Sequence, residues 1–388
     1  MPGLVQSLLV RGRSLMRTAL LIPLVACGAP VANTGAQAPG PAVGELPAPY
    51  LYACVQDEAR IAVIDMDRLE VVRSIDLQSL GFSANAKPHH VAVEPDGETF
   101  YVSLIGEDRV ARFDREGTLQ GTFEMSTPGM LSYEPRTGVL LASRSMSAVN
   151  PPTRVGWVNT RTMEGDEIDV FLSRPHPMEV SPDGEWAYTG SLGVNQLAAI
   201  ELETQDVTLV DLEGPAHALV QFAISPDGRW LVAGTEVSGR LLVFDLENPA
   251  RPRQVASLAI GPMVFDPSFS PDGASVWVPV KGANEVAVVR ASDWTEQARI
   301  SADSFMQPHQ VVFTADGARA FVSNNAKADH MAGPMEPDEH AAHGDHAMAA
   351  DGTGNVTVLD TRTFEVLEVL ELGPNVTGMG AASRVAHP

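Results

Sequence analysis

Residues 176–212 read HPMEVSPDGEWAYTGSLGVNQLAAIELETQDVTLVDL, and this stretch decides the fold. Asp-Gly at 183–184 separates two apolar runs. Asp-Gly in this setting is the strongest short signal for a β-hairpin, because both turn positions favour positive φ. Two further apolar runs, QLAAIE and DVTLVD, follow after polar turns. The stretch therefore predicts four short antiparallel strands in succession.

The same hairpin signature recurs along the chain at a nearly constant spacing. It reads EPDG at 94–97, EPRTG at 134–138, SPDG at 181–184, 225–228 and 270–273, and TADG at 314–317, so the closing glycines lie 41 to 46 residues apart. Each copy has one apolar strand before it and further strands after it. Four strands in a unit of this length are typical of a β-propeller blade.

Six complete units and one shared unit predict an all-β, seven-bladed β-propeller with four antiparallel strands per blade. The first unit begins at its second strand, PYLYACV at 49–55, and lacks a first strand. The C-terminal segment GPNVTGMGAA at 373–382 can supply that strand. We therefore expect the ring to close by pairing of the C-terminal strand with blade 1, which also protects the sheet edges.

Two second strands carry a further family signal, YVSL at 101–104 and FVSN at 321–324. These runs resemble the Tyr-Val-Thr-Asn run that names the YVTN-type propeller repeat family. The resemblance spans roughly residues 50 to 385 and implies the fold. It leaves the function open, because propellers serve many roles.

The N-terminal residues predict export. Residues 1–26 join a basic segment to the apolar run TALLIPLVA, which is too short to span a bilayer as a helix and is typical of a signal peptide. LVAC at 24–27 resembles the lipobox of bacterial lipoproteins, which implies lipid attachment at Cys27. Residues 27–48, rich in Ala, Pro and Gly, then read as a flexible tether to a propeller at 49–388.

The resemblance to lipoproteins implies a place in the cell envelope, facing the periplasm or on the outer membrane. Gly28 favours the outer membrane, because an Asp at that position retains such proteins in the inner membrane. With Cys27 lipidated, the other cysteine, Cys54, has no disulfide partner, and its apolar strand predicts a small buried side chain. The partners expected are the membrane through the lipid, a metal ion and an envelope protein.

The formal net charge is −23, and the predicted signal peptide contributes three arginines and no acidic residue. The mature chain is therefore more acidic still. Such a surface repels nucleic acid and tolerates cationic ligands, including metal ions.

Four histidines are predicted at one mouth of the central channel. His89, His176 and His309 each lie six residues before the second residue of a hairpin signature. His217 lies three residues further out, so its alignment requires a small insertion. His90 points to the opposite side of its strand from His89 and is expected to be structural.

Several neutral imidazoles that converge on an axis suit a divalent transition metal, with copper as the leading ion and iron or zinc as alternatives. The plan resembles that of nitrous oxide reductase and the carotenoid-cleaving oxygenases, in which hub histidines of a seven-bladed propeller hold copper or iron. The alternative is that these histidines hydrogen-bond neighbouring blades and shape the mouth.

An insertion in blade 7, residues 326–352, reads AKADHMAGPMEPDEHAAHGDHAMAADG. It lies between the second and third strands, so we expect it on the same face as the four histidines. Mixed imidazole and thioether ligands suit copper in both oxidation states. The candidate ligands are His330, Met331, Met335, His340, His343, His346 and Met348.

These features predict an envelope lipoprotein that binds a transition metal, with a non-catalytic interaction scaffold as the alternative. A third possibility is a lactonase, because PHHVAVEPDGETFYVSLIGEDRV at 88–110 resembles a stretch of propeller lactonases. That resemblance implies channel-face arginines, for which Arg109 and Arg144 are the candidates, but the Asn-Arg-Gly run of those enzymes is absent. The sequence also lacks GxSxG, P-loop, HExxH and CxxCH motifs.

Overall fold

The computed structural model describes residues 49–144, 150–326 and 352–382. This part of the chain forms seven sheets of four antiparallel strands each, which confirms the predicted seven-bladed β-propeller. Short 3₁₀ helices follow some of the strands, at Gln56–Glu58, Gln78–Leu80, Ile105–Glu107 and Lys281–Ala283. No helix among these residues is long and apolar enough to cross a membrane.

The blades follow one another in chain order, and the strands of each blade are named from the innermost to the outermost. Blade 1 consists of β28 (Val376–Ala381), β1 (Tyr50–Val55), β2 (Arg60–Asp65) and β3 (Glu70–Asp76). Blade 2 consists of β4 (Pro88–Val93), β5 (Thr99–Leu104), β6 (Arg109–Asp114) and β7 (Leu119–Glu124). Blade 3 consists of β8 (Pro128–Glu134), β9 (Val139–Arg144), β10 (Arg154–Asn159) and β11 (Glu164–Asp169).

The remaining four blades repeat this order. Blade 4 consists of β12 (Pro175–Val180), β13 (Trp186–Ser191), β14 (Gln196–Glu201) and β15 (Val207–Asp211). Blade 5 consists of β16 (Leu219–Ile224), β17 (Trp230–Thr235), β18 (Arg240–Asp245) and β19 (Arg253–Ala259). Blade 6 consists of β20 (Ser268–Phe269), β21 (Ser275–Val280), β22 (Glu285–Arg290) and β23 (Thr295–Ser301). Blade 7 consists of β24 (Pro308–Phe313), β25 (Arg319–Asn324), β26 (Gly354–Asp360) and β27 (Val366–Gly373).

The ring closes as predicted, because β28 from the C-terminal segment pairs with β1. Each innermost strand also contacts the innermost strands of the blades on either side, including the contacts of β28 with β4 and with β24. The apolar side chains of the described residues gather in seven clusters, one at each blade-to-blade interface. Cys54 belongs to the cluster between blades 1 and 2, where burial raises the pKa of its thiol, as expected of a packed, unreactive cysteine.

The inner side of every blade carries one residue more than the second strand pairs with, which is a β-bulge. In blade 6 this extra residue lies just before β20. In blade 2, Pro88 faces Leu104 and Val91 faces Val102, so two residues, His89 and His90, fill the bulge. The same offset occurs in the other blades. The residues equivalent to His89, from blade 1 to blade 7, are Thr377, His89, Gly129, His176, Val220, Phe265 and His309. Those equivalent to His90 are Gly378, His90, Met130, Pro177, Gln221, Asp266 and Gln310.

The closing strand depends on a glycine at its bulge. A Cβ added to Gly378 would lie 2.4 Å from the carbonyl oxygen of His89 and 2.8 Å from the Cα of His90. Both atoms are backbone, so neither can turn away as a side chain would.

We therefore expect Gly378→Ala to lower the free energy of unfolding by about 1–3 kcal/mol, the usual cost of overpacking. The measurement is the urea midpoint, with an unchanged m value. Gly193→Ala is the control, because its Cβ would meet nothing nearer than the side-chain oxygen of Ser173, at 3.2 Å. Equal midpoints for the two variants would show that blade 2 can move away from β28.

Candidate functional site

Three of the predicted histidines occupy the first bulge position of their blades. The rings of His89 and His176 meet edge to face with centroids 6.2 Å apart, although their blades are not neighbours. Blade 3 lies between them, and its equivalent residue is Gly129, which has no side chain to separate them. His309 lies close enough that His89 and His176 both lower its pKa. The structure therefore brings His89, His176 and His309 together.

Each of these three imidazoles has its Nδ1 beside an oxygen from a neighbouring blade. His89 Nδ1 lies 3.0 Å from Gln56 Oε1 of blade 1, and His176 Nδ1 lies 2.6 Å from the carbonyl oxygen of Val220 in blade 5. Amide and peptide oxygens only accept hydrogen bonds, so both Nδ1 atoms carry the proton and both Nε2 atoms carry the lone pair.

The third imidazole is held less tightly. His309 Nδ1 lies 3.5 Å from Asp266 Oδ2 of blade 6, close enough for an ion pair but without the geometry of a hydrogen bond. His309 also packs against Phe265, with ring centroids 5.1 Å apart. The ammonium of Lys281 lies 4.3 Å from the centroid of that same Phe265 ring. His309 thus sits between a carboxyl group and an aromatic ring that both belong to blade 6.

Burial keeps His176 and His309 neutral. It lowers the pKa of His176 to about 4, with a smaller contribution from the charge of Arg174. Burial is also the largest cause that holds the pKa of His309 well below its ordinary value, followed by the charge of Lys281. Neutral imidazoles are the form that binds metal ions.

Asp266 is the functional candidate that the sequence patterns did not reveal. It occupies the second bulge position of blade 6, is 1 % exposed, and neither carboxyl oxygen makes a hydrogen bond to the described part of the chain. Burial raises its pKa to about 8, against the opposing charge of Lys281. Counting back from the hairpin glycines would have found it, because Asp266 precedes Gly273 by seven residues, as His90 precedes Gly97.

His90 has the structural role that the sequence predicted, and it also lies near the other histidines. Its Nδ1 accepts a hydrogen bond from the backbone amide of Leu131 in blade 3, at 3.2 Å. Burial, with a smaller contribution from the charge of His176, lowers its pKa to about 3. His90 therefore joins blade 2 to blade 3 beside the three first-position histidines.

His217 does not occupy the bulge position of the other three, contrary to the expected alignment. The first bulge position of blade 5 is Val220, and His217 lies in the connection before β16. Its Nε2 donates to the carbonyl oxygen of Glu213 at 3.0 Å, and its Nδ1 lies 2.8 Å from the hydroxyl of Ser238. Both ring nitrogens are thus occupied, which leaves no lone pair for a metal ion.

The candidate ligands of the insertion, His330, Met331, Met335, His340, His343, His346 and Met348, lie outside the described residues, so their role stays a prediction. The residue on its N-terminal side, Ala326, donates its backbone amide to Met306 just before β24. Within 49–144, 150–326 and 352–382, no group of three or more His, Cys, Asp or Glu side chains already has the arrangement of a metal site.

The two arginines of the lactonase alternative bind glutamates in the outermost strands of their own blades. Arg144 forms an ion pair with Glu167 at 3.0 Å, and Arg109 forms one with Glu124 at 3.3 Å. The arginine-and-acid arrangement around His89 that hydrolysis would require is therefore not formed by these residues.

Two surface grooves, of about 350 and 520 Å³, lie between the hairpin turns of blades 4, 5 and 6. Asp227 lines both, but its carboxylate already accepts hydrogen bonds from Ser225 and from the amide of Arg229. Because the carboxylate of Asp227 is already hydrogen-bonded, we place the candidate site at the bulge positions, where His89, His176, His309 and Asp266 lie.

Known structures with the same architecture share little sequence with this chain. Hydrazine synthase of Kuenenia stuttgartiensis is 19% identical with a TM-score of 0.60, over 77% of this chain and 90% of that one. A functionally unknown protein of Desulfotomaculum acetoxidans is 12% identical with a TM-score of 0.65, over 86% and 98%. No protein-family model and no curated protein matches the sequence. The likeness confirms the fold alone, and membership of the YVTN-type family stays a prediction.

Glu179 is a second acidic residue that the sequence patterns did not reveal. It lies two residues beyond the second bulge position of blade 4, on the same side of the strand. The equivalent residues of the other blades are small or apolar: Gly380, Ala92, Ser132, Ala223, Ser268 and Val312. Burial raises the pKa of Glu179 to about 8.

This shift makes stability depend on pH. The carboxyl titrates near 4.5 in the unfolded chain and near 8 in the folded protein, so the unfolded state loses its proton first. The contribution of Glu179 to the free energy of unfolding therefore falls as the pH rises from about 4.5 to about 8. The side chain of Glu179 keeps some contact with solvent. Solvent screening therefore makes the change in the free energy of unfolding smaller than the whole pKa shift implies.

We expect Glu179→Gln to be more stable than the unchanged protein by about 1–2 kcal/mol at pH 8, and to lose this advantage near pH 4.5. Urea unfolding at several pH values measures the difference. Glu185→Gln, at an exposed position in the next turn, serves as the control. An advantage that is the same at every pH would contradict a buried, neutral Glu179.

Proposed function

We propose that this protein binds one transition-metal ion at the channel mouth through Nε2 of His89, His176 and His309. The observation that carries the proposal is the placement of all three Nδ1 atoms beside oxygen acceptors of neighbouring blades. Metal-binding histidines in proteins have this second contact, which fixes the tautomer and turns the other nitrogen toward the ion.

The distances support a site that closes when the ion binds. Two imidazoles on one ion, with metal–nitrogen bonds of about 2.0–2.1 Å, have ring centroids roughly 5–6 Å apart. The centroids of His89 and His176 are 6.2 Å apart, slightly beyond that range. This pair is therefore near the spacing of two imidazoles on one ion. His309 completes the set when its Nδ1 moves into hydrogen-bonding distance of Asp266.

The donor set restricts the kind of ion. Three neutral nitrogen ligands suit copper, zinc or iron(II) better than calcium or magnesium, which prefer oxygen. Copper is the leading candidate because the predicted ligands of the insertion include methionine sulfur, which favours Cu(I). Three protein ligands also leave a coordination position open for a further ligand. The scaffold alternative does not account for the carboxyl of Asp266, which is buried beside His309 without a hydrogen bond among the described residues.

The test is copper binding by protein produced without the predicted signal segment and without a histidine tag. The unchanged protein is expected to bind one Cu(II) per chain at the hub, the site formed by His89, His176 and His309. Its electron paramagnetic resonance spectrum should show couplings to nitrogen. His176→Gln should weaken this binding by at least about 10–100-fold, the loss that follows removal of a residue that only supports a ligand. His217→Gln is the matched control, because it replaces a buried histidine whose two nitrogens are already hydrogen-bonded.

A variant that lacks residues 327–351 separates the hub from the insertion. If the hub is the site, this variant keeps one tightly bound ion that His176→Gln removes. If deletion of the insertion abolishes all binding, the hub proposal is wrong and the insertion is the metal binder. Equal affinities of His176→Gln and His217→Gln would also contradict the proposal.

We further propose that the protein is a lipoprotein of the cell envelope, attached through Cys27. The support is the sequence alone: the short apolar run followed by LVAC at 24–27 and by a tether rich in Ala, Pro and Gly.

In bacteria that process lipoproteins, the full-length protein should incorporate a radiolabelled fatty acid and sediment with membranes. Cys27→Ser should lose the label and move to the soluble fraction, because a single polar side chain replaces the lipid anchor. Cys54→Ser is the control, since Cys54 is buried and should not be acylated. Label that persists in Cys27→Ser would refute the assignment.

A further inference from the structure

His90 lies beside the proposed metal ligands, but it is the opposite tautomer. In His89 and His176 the proton is on Nδ1, whereas in His90 Nδ1 is the acceptor. The backbone amide of Leu131 donates to Nδ1, so in the neutral ring the proton is on Nε2. Neither nitrogen of His90 therefore has a lone pair for a metal ion.

The Nε2–H group of His90 has no partner in the described residues. The side chain is 6 % exposed, and Nε2 is buried without a hydrogen bond to any of them. A buried donor without an acceptor is costly, and such groups in folded proteins usually mark a missing ligand or water. The fold maintains the ring in this place, since Gly378 of β28 has no Cβ to displace it.

The position of this donor relates it to the proposed ion. His90 follows His89 in the bulge of blade 2, and its ring is hydrogen-bonded to Leu131 of blade 3, the blade that lies between those of His89 and His176. Three neutral imidazoles carry no charge, and Asp266 beside His309 supplies at most one negative charge, so a buried divalent ion keeps at least one positive charge without a counter-charge. A buried charge in that state is strongly unfavourable. An anion in the open coordination position would supply the counter-charge.

We propose that the open position of the metal takes a small anionic oxygen ligand, such as a carboxylate or an inorganic oxyanion, which accepts a hydrogen bond from Nε2–H of His90. His90 is thus a positioning residue for the bound anion and not a ligand of the metal. This inference rests on the proposed metal site.

The first test uses the copper-loaded protein and acetate as the probe, with binding followed by the Cu(II) absorption spectrum. His90→Met removes the donor and keeps an apolar side chain of similar length, as Met130 does at the equivalent position of blade 3. We expect copper affinity to stay within about threefold and acetate affinity to fall about tenfold or more, as for a lost hydrogen bond to a charged group.

The second test needs no substitution and therefore does not depend on the folding of a variant. In zinc-loaded protein with ¹⁵N-labelled histidine, acetate should shift the Nε2–H resonance of His90. His217 is the internal control, because its Nε2–H donates to the carbonyl oxygen of Glu213 and should not respond.

The outcomes separate this inference from the proposed function. Copper affinity lost in His90→Met as severely as in His176→Gln would make His90 a metal ligand and overturn the inference. Unchanged acetate affinity in His90→Met, or a His90 resonance that ignores acetate, would overturn it while the metal site stands. Absence of any hub metal in the unchanged protein would remove the proposed function, and the inference with it.

Discussion

The structure depends on one local constraint, the extra residue on the inner side of each blade. A bulge leaves backbone amides without partners in the ladder, and buried amides must be satisfied. In blades 2, 3 and 7, the hydroxyl of a serine in the second strand accepts one of them: Ser103, Ser143 and Ser323 bind the amides of His90, Met130 and Gln310. Ser103 and Ser323 are the third residues of the YVSL and FVSN runs, which gives those runs a physical role.

The bulges also connect neighbouring blades. The residue after each bulge presents a further amide, and a side chain from the second bulge position of a neighbouring blade accepts it in three places. Gln221 accepts from Met178, Gln310 from Met379, and His90 from Leu131. Asp266 occupies the same position in blade 6 but makes no such bond within the described residues. A buried carboxyl without a hydrogen bond lowers the free energy of unfolding, whereas Gln221 and Gln310 gain a hydrogen bond at the same position.

The architecture could be predicted from sequence because the hairpin signal is local and recurs in six of the seven blades. The convergence of His89, His176 and His309 followed from equal spacing to that signal. His217 did not align with them because GPAHAL at 214–219 places its histidine ahead of the strand, and spacing does not show which residue begins the bulge. The spacing to Gly273 places Asp266 at a bulge position, but no motif distinguishes Asp266 or Glu179, because what sets each apart is the burial of a carboxyl, a property of the assembled ring.

An ion at the proposed site would act on the ring as a whole. Each histidine contact joins two neighbouring blades: Gln56 and His89 join blades 1 and 2, His176 and Val220 join blades 4 and 5, and Asp266 and His309 join blades 6 and 7. Blade 3 contributes only Gly129 at its first bulge position, but His90 joins it to blade 2 through Leu131. One ion bound to three imidazoles would therefore link all seven blades. Metal binding by His89, His176 and His309 would raise the free energy of unfolding of the closed ring, because these histidines come together only when the ring is closed.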